Sequence, residues 1–209
     1  MLRVGLTGGI ASGKSTVASM LRESDCQVLE LDPLGHELLE TGQSAYNEVV
    51  AEFGGEILDK FGNVDRGKLG GVVFADAAKR ERLNQILHPR ILEVVRNWFA
   101  ALGRAGGPDL AFAEAALIVE SGFHKDLDRV VVCWCTPDQQ MERLQERGLT
   151  AEQARQRVAS QMPMDEKRRY ADIVIDCSGT LASTETQVRQ ALEKLAQWAR
   201  GDGPPRPAL

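Results

Sequence analysis

No apolar stretch of the chain approaches the ~20 residues that span a bilayer, so a membrane-crossing protein is not expected. There is no surplus of positive charge either: 25 Lys and Arg stand against 30 Asp and Glu, a net charge of -5. That balance suits a polyphosphate backbone poorly and argues against nucleic acid as the main partner. The four cysteines, Cys26, Cys133, Cys135 and Cys177, lack the paired spacing of a zinc site or a disulfide framework. Cys133 and Cys135, two apart on an expected strand, share one face and read as packing thiols rather than a C-x-C metal pair. The first apolar run begins at Arg3, which leaves no room for a signal segment, so a cytoplasmic location is expected. No N-K-x-D element occurs to specify guanine.

What is present is concentrated near the start. Gly8-Gly9-Ile10-Ala11-Ser12-Gly13-Lys14-Ser15 satisfies G-x-x-x-x-G-K-[ST] in full, between an apolar run from Val4 to Thr7 and a helical pattern from Lys14 to Glu23. Glycines at both ends let the backbone turn so that successive N–H groups converge on phosphates, and the positive end of the following helix reinforces them. Lys14 is expected to reach the β- and γ-phosphates as a movable charge, Ser15 to complete the coordination of Mg²⁺, and Thr16 to stand beside the α-phosphate.

At 209 residues the chain suits one α/β domain with an inserted or appended subdomain. Five apolar runs read as strands: Arg3 to Thr7, Gln27 to Leu31, Asp109 to Glu114, Arg129 to Cys135 and Asp172 to Asp176. Helical patterns separate them, which predicts a doubly wound parallel five-stranded sheet with its ligand crevice at the strands' carboxyl ends. Gly8, Asp32 and Glu114 all fall at such ends. The expected core is residues 1–32 and 108–209, with residues 33–107 forming a helical subdomain. Within that subdomain Ser44 to Phe53 reads as one helix, and Pro89 as the first residue of another through Trp98 and Leu102. Thr136-Pro137-Asp138-Gln139 has the form of a capping box, and Thr150-Ala151-Glu152-Gln153 repeats it. The two helices they open form an arginine-rich hairpin, a lid at about 137–165. Leu181 to Arg200 repeats apolar residues as a helix packed on the sheet does, and Gly201 to Leu209 reads as a frayed tail.

A phosphate loop names the ligand without naming the reaction. Asp32, expected to end the second strand beside that loop, is the candidate base: it can take the proton of an acceptor hydroxyl and aim its oxygen in line with the γ-phosphorus. An Asp before Pro33 is also a common turn former. Glu30, two residues earlier, shares Asp32's face and is left without a role. Glu114 could hold a metal-bound water.

Taken together, the motifs resemble the dephospho-CoA kinase family, P-loop enzymes that phosphorylate the ribose 3′-hydroxyl of dephospho-coenzyme A in the last step of coenzyme A synthesis. Thr7 to Thr16 is similar to that family's T-G-G-I-x-S-G-K-S-T, and Leu29 to Asp32 with His36 to its strand-end D-A-D and following histidine. Leu83-Asn84 to Leu87-His88-Pro89-Arg90-Ile91 resembles its L-x-x-I-x-H-P segment, and Leu117 to Glu120 resembles its P-L-L-F-E element loosely. Gln161-Met162-Pro163, Glu166-Lys167-Arg168, Ala171-Asp172 and Ser178-Gly179 resemble its C-terminal signature. Four positions depart from the pattern: Glu30, Ala116, Val119 and Cys177 stand where aspartate, proline, phenylalanine and asparagine are usual.

The resemblance implies ATP held by Gly8, Gly9, Ala11, Ser12, Gly13, Lys14, Ser15 and Thr16, with Mg²⁺ at Ser15. It implies Asp32, Lys14, Arg143 and Arg147 as catalytic residues, and dephospho-CoA in the helical subdomain with Asp32, His36 and His88 as binding residues. A lid arginine neutralises charge on the transferring group and excludes water; each is equally well a solvated helix face. His88 contacts substrate or caps the helix at Pro89, and His36 contacts substrate or orients the subdomain's start. A monomer or weak homo-oligomer is expected. Two other classes share parts of the pattern. Another P-loop small-molecule kinase would share the phosphate loop, Asp32 and the lid; one acting on a nucleoside monophosphate would carry an arginine cluster in the insert for the acceptor phosphate, where apolar residues dominate instead. A GTP-dependent switch matches only through D-x-x-G at Asp32 to Gly35, one helix after the phosphate loop.

Overall fold

A computed structural model describes residues 1–204, and the part of the expected tail from 205 to 209 lies outside the described residues. Five parallel strands form one sheet: β1 (Leu2–Gly8), β2 (Gln27–Glu30), β3 (Leu110–Glu114), β4 (Arg129–Trp134) and β5 (Ile173–Asp176), in the order β2-β3-β1-β4-β5. β1 is central, with Leu6 opposite Glu114 of β3 and Gly8 opposite Cys133 of β4. Strand side chains alternate between faces, so Val4, Leu6, Phe112, Val131, Cys133 and Ile175 point one way. They meet Val17, Ala18 and Leu21 of α1 (Lys14–Glu23) and Val188, Ala191 and Leu195 of α9 (Leu181–Ala199) in one core. On the opposite face a Cβ on Gly5 would stand 2.6 Å from Leu127 Cδ1 and 3.4 Å from Ile118 Cδ1, so the connection after β3 lies directly against the sheet. Cys133 and Cys135 are both fully buried, as packing thiols should be.

The chain divides into two compact units, residues 1–30 with 99–209, and residues 31–98. The first holds the sheet, α1, α9 and three helices between β4 and β5: α6 (Pro137–Glu146), α7 (Ala151–Ala159) and α8 (Met164–Lys167). Both expected capping boxes form. The Thr136 and Thr150 hydroxyls accept from the N–H groups of Gln139 and Gln153, and each glutamine side chain accepts the cap's own N–H in return. The second unit comprises α2 (Leu31–Glu37), α3 (Tyr46–Phe53), α4 (Arg66–Ala75) and the α5 (Ala77–Arg104) residues up to Trp98. It has its own core of Leu38, Leu39, Val49, Ile57, Leu69 and Ile86.

Four expectations need correction. The second strand stops at Glu30, and Leu31 begins a helix, so Asp32 lies in the first turn of α2 rather than at a strand end. Pro33 explains this, because a helix's first turn has no use for the missing N–H. α3 begins at Tyr46, two residues after the expected Ser44. Pro89 lies inside α5 and does not start a helix, which also removes His88 from any capping role. A mid-helix proline costs about 3 kcal/mol; Leu83, Ile86, Leu87 and Ile91, packed into the second unit's core at helical spacing, offset it. The tail does not fray over 201–204: Gly201 takes a φ of 101°, Asp202 N–H returns to Gln197 O at 3.2 Å, and Arg129 Nη2 donates to Pro204 O at 2.6 Å.

Candidate active site

The loop from Gly8 to Gly13 leaves β1 and enters α1 through two left-handed residues, Ala11 at φ 58° and Gly13 at φ 97°. Its glycines are required by close packing. A Cβ on Gly8 would overlap Ser12 Oγ and stand 2.7 Å from Cys133 O. On Gly9 it would meet Gln140 Nε2 and Met164 Sδ at 2.7 Å each, and on Gly13 Cys177 Cβ at 2.8 Å.

Side chains from far along the sequence hold the main chain of residues 9–11. Gly9 N–H donates to Met164 Sδ at 3.1 Å and Ile10 N–H to Gln161 Oε1 at 2.7 Å. Gln140 Nε2 donates to Ile10 O at 2.7 Å, and Arg143 Nη1 to Ala11 O at 3.1 Å. The same guanidinium donates through Nη2 to Cys177 O at 2.6 Å. An apolar seam of Ile10, Ala11, Met141, Leu144, Leu149, Ala154 and Val158 packs the α6–α7 hairpin against the loop. The first-turn amides of α1 have no intrahelical acceptor and remain available to an anion.

Lys14 emerges at this turn, largely buried, and pairs with Glu114 at the end of β3. Ser12 Oγ is buried and, among the described residues, has no hydrogen-bond partner. Ser15 and Thr16 present exposed hydroxyls. An orphaned hydroxyl, free amides and one poised ammonium around a single turn fit a polyphosphate, and the Ser15 hydroxyl fits a hard cation that keeps most of its ligands from phosphate and water. Among the described residues no group of three or more His, Cys, Asp or Glu side chains could hold a metal ion.

One further cation lies close by. Lys167 in α8 is fully buried; its Nζ donates to Ala116 O at 2.7 Å and pairs with Glu120 at 2.8 Å. Thr7 Oγ1, one residue before the loop, donates to the same Ala116 carbonyl at 3.1 Å, and Glu120 also accepts from Met162 N–H at 3.1 Å. Burial holds the Lys167 ammonium below the usual lysine range, against the pull of Glu120.

The remaining expected residues are placed as follows. Arg147, at the end of α6, is exposed. Asp32 and His36 lie one turn apart on α2, both exposed, and His88 is half-buried in α5. Burial lowers the proton affinity of both histidines; for His36 the positive charge of Arg66 adds to this and Asp32 opposes it. The sequence reading assigned no role to Gln140, Gln161, Met164, Glu120 or Lys167. Gln140 carried a signal: it is an uncharged polar residue on the apolar side of a short charged helix.

The family model described as dephospho-CoA kinase matches residues 2–183. The chain is 40% identical over 199 residues to a protein of Listeria monocytogenes serotype 4b named dephospho-CoA kinase, covering 93% of this chain and 97% of that one. To the protein of the same name from Geobacillus kaustophilus it is 41% identical over 198 residues, covering 94% and 96%. A crystal structure from Thermus thermophilus is similar with a TM-score of 0.78 at 29% identity, covering 93% of this chain and 97% of that one.

Proposed function

The chain belongs to the dephospho-CoA kinase family, and from that premise we propose that it transfers the γ-phosphoryl group of ATP to the ribose 3′-hydroxyl of dephospho-CoA, the step that completes coenzyme A. The observation that carries this reading is the anion cradle at Gly8 to Thr16, with Lys14 held at its mouth by Glu114.

Asp32 accepts the proton of the 3′-hydroxyl as that oxygen bonds to the γ-phosphorus; the bond from the γ-phosphorus to the β,γ-bridging oxygen breaks, and ADP leaves with the electron pair. Lys14 exchanges Glu114 for the β- and γ-phosphate oxygens. The first-turn amides of α1 and the Ser12 hydroxyl hold the non-transferring oxygens, which is positioning rather than covalent work. The Ser15 hydroxyl would hold Mg²⁺, which would supply neutralisation of the charge that builds on the phosphates. Arg143 and Arg147 belong to the α6–α7 lid, and residues 33–107 supply the acceptor site, with His36 and His88 as its histidines. We assign the protein to the cytoplasm as a monomer or weak homo-oligomer; among the described residues no helix is long and apolar enough to cross a membrane.

The test is ADP release with Mg²⁺-ATP and four acceptors: dephospho-CoA, adenosine, AMP and gluconate. Turnover is expected with dephospho-CoA, and preference for another acceptor rejects the assignment. Asp32→Asn should keep ATP binding while kcat falls about 100-fold or more, in the range of a lost general base; an unchanged kcat removes Asp32 as the base.

A further inference from the structure

The second unit contains a cavity of about 400 Å³ whose polar lining is His36, Glu40, Thr41, Asn63 and Arg66. Leu39 and Val64 form its apolar floor. α2 and the turn that follows it supply one wall, and the segment leading into α4 supplies the other.

The charges in this unit are unevenly spent. Arg82 pairs with Glu52 at 2.9 Å and Arg90 with Glu48 at 2.7 Å, whereas Arg66, among the described residues, forms no ion pair. The amides at the start of α4 do not compete for an anion, because Asp65 caps them: its carboxylate accepts from Gly67 N–H and Lys68 N–H. Attraction for an anion therefore comes from the guanidinium, whose planar fork matches two oxygens of a phosphate at once. Arg66 and Asp32 both act on the charge of His36, which places the histidine within electrostatic reach of each. Thr41 Oγ1 is engaged with Asn63 Oδ1 at 3.0 Å, which ties the two walls together.

Asp32 and His36 are four residues apart on α2, so they share a face about 6 Å apart along the helix. A ribose is about as long as that separation, so a hydroxyl held at Asp32 with its ring lying along α2 brings the group at the ring's far side to His36, which lines the same cavity as Arg66. In a nucleoside with a free 3′-hydroxyl, that group is the 5′-phosphate. Glu40, the one carboxylate of the lining, disfavours a second anion deeper in the cavity. It offers an acceptor instead to the hydroxyl or amide N–H of an uncharged arm continuing from the diphosphate.

Resting on the reading of Asp32 as the base, we infer that Arg66, assisted by His36, determines acceptor specificity by binding the 5′-diphosphate of the nucleotide whose 3′-hydroxyl is phosphorylated. The cavity takes the diphosphate and the first part of the arm attached to it. Arg66 touches the substrate at a distance from the reacting atoms, so it sets affinity for the acceptor and not the rate of the chemical step.

The experiment is steady-state kinetics of wild type, Arg66→Ala and Arg66→Lys with Mg²⁺-ATP and dephospho-CoA, alongside thermal unfolding of each. A charge-assisted contact of this kind is expected to be worth about 10- to 100-fold. In Arg66→Ala the KM for dephospho-CoA should rise by that factor, with kcat within about threefold, and with the KM for ATP and the Tm unchanged. Arg66→Lys, which keeps the charge and loses the fork, should fall between the two. A KM for dephospho-CoA within twofold of wild type in Arg66→Ala overturns the inference, as does a parallel rise in both KM values. These outcomes leave the proposed function standing, because wild-type turnover of dephospho-CoA is read in the same assay; absence of that turnover sinks both.

Discussion

Replacing Lys167 with methionine tests whether a buried cation beneath the phosphate loop holds the segment after β3 in place. The side chain is 0% exposed and its partner Glu120 is 22% exposed, with the pair at 2.8 Å. Methionine fills nearly the same volume, so the cavity contribution is small and the cost comes from polar groups left behind. Ala116 O keeps Thr7 Oγ1, and Glu120 keeps Met162 N–H, but the carboxylate loses the one ion pair it forms among the described residues. Breaking a fully buried pair costs 3–5 kcal/mol, and Glu120's partial exposure lowers this to about 2–4 kcal/mol. The double variant Lys167→Met with Glu120→Gln removes both charges and keeps an oxygen for Met162 N–H, so most of the loss should return, to within about 1.5 kcal/mol of wild type. Urea unfolding of the four proteins of this cycle, with equal m values, gives the coupling energy directly. The reasoning is refuted if Lys167→Met lies within about 0.5 kcal/mol of wild type, or if the two single losses simply add.

Gly13→Ala should cost about 2–4 kcal/mol, part from the left-handed φ of 97° and part from a Cβ pressed to 2.8 Å of Cys177 Cβ. Cys177→Gly in the same chain should return only the packing part, a split read from unfolding midpoints of the two variants. The four atoms of the Arg3–Asp128 pair make a fork, with bonds of 3.0 and 2.7 Å and a third from Arg3 N–H at 2.8 Å, and hold the Asp128 carboxyl below its ordinary 3.8. A carboxyl lowered in the folded state stabilises above its unfolded pKa and loses that contribution as the pH falls through the folded value. Wild type should therefore lose stability below about pH 4 more steeply than Asp128→Asn, and parallel curves for the two proteins would falsify the linkage.

The elements most legible in the sequence were those fixed by local chemistry. The phosphate loop needs residue types at set spacings, and the two capping boxes at Thr136 and Thr150 are closed within four residues, so both could be read without knowing the rest of the chain. Boundaries decided by competition were harder. At Leu31 an apolar residue continued the strand pattern, but Pro33 two residues later favoured a helix start, and the helix won. At Pro89 the local rule pointed to a helix start, and four apolar side chains packed around it kept α5 continuous. The residues that hold the phosphate loop were the least legible, because Gln140, Gln161 and Met164 lie 130 to 155 residues from their partners. Nothing in a one-dimensional pattern specifies such contacts, although the segment containing Gln161 and Lys167 was already part of the family resemblance.

The two lid arginines stand in different positions with respect to a phosphate. Arg143 donates to the carbonyls of Ala11 and Cys177, and by joining the loop to the end of β5 it fixes the shape that its neighbours Gln140, Gln161 and Met164 also fix. Each bond to a charged donor is worth about 1.5–3 kcal/mol, so moving Arg143 onto a phosphate gives up both bonds and loosens the cradle that holds the phosphate. Arg147 is exposed at the end of α6 and, among the described residues, forms no ion pair; moving it costs side-chain entropy alone. Under the proposed function, a nucleotide at this loop would find the cradle already braced by Arg143 and would gain a mobile positive charge most cheaply from Arg147. On that proposal preorganisation is distributed unequally, with Arg143 holding the backbone and Arg147 left to answer the charge of the transferring group.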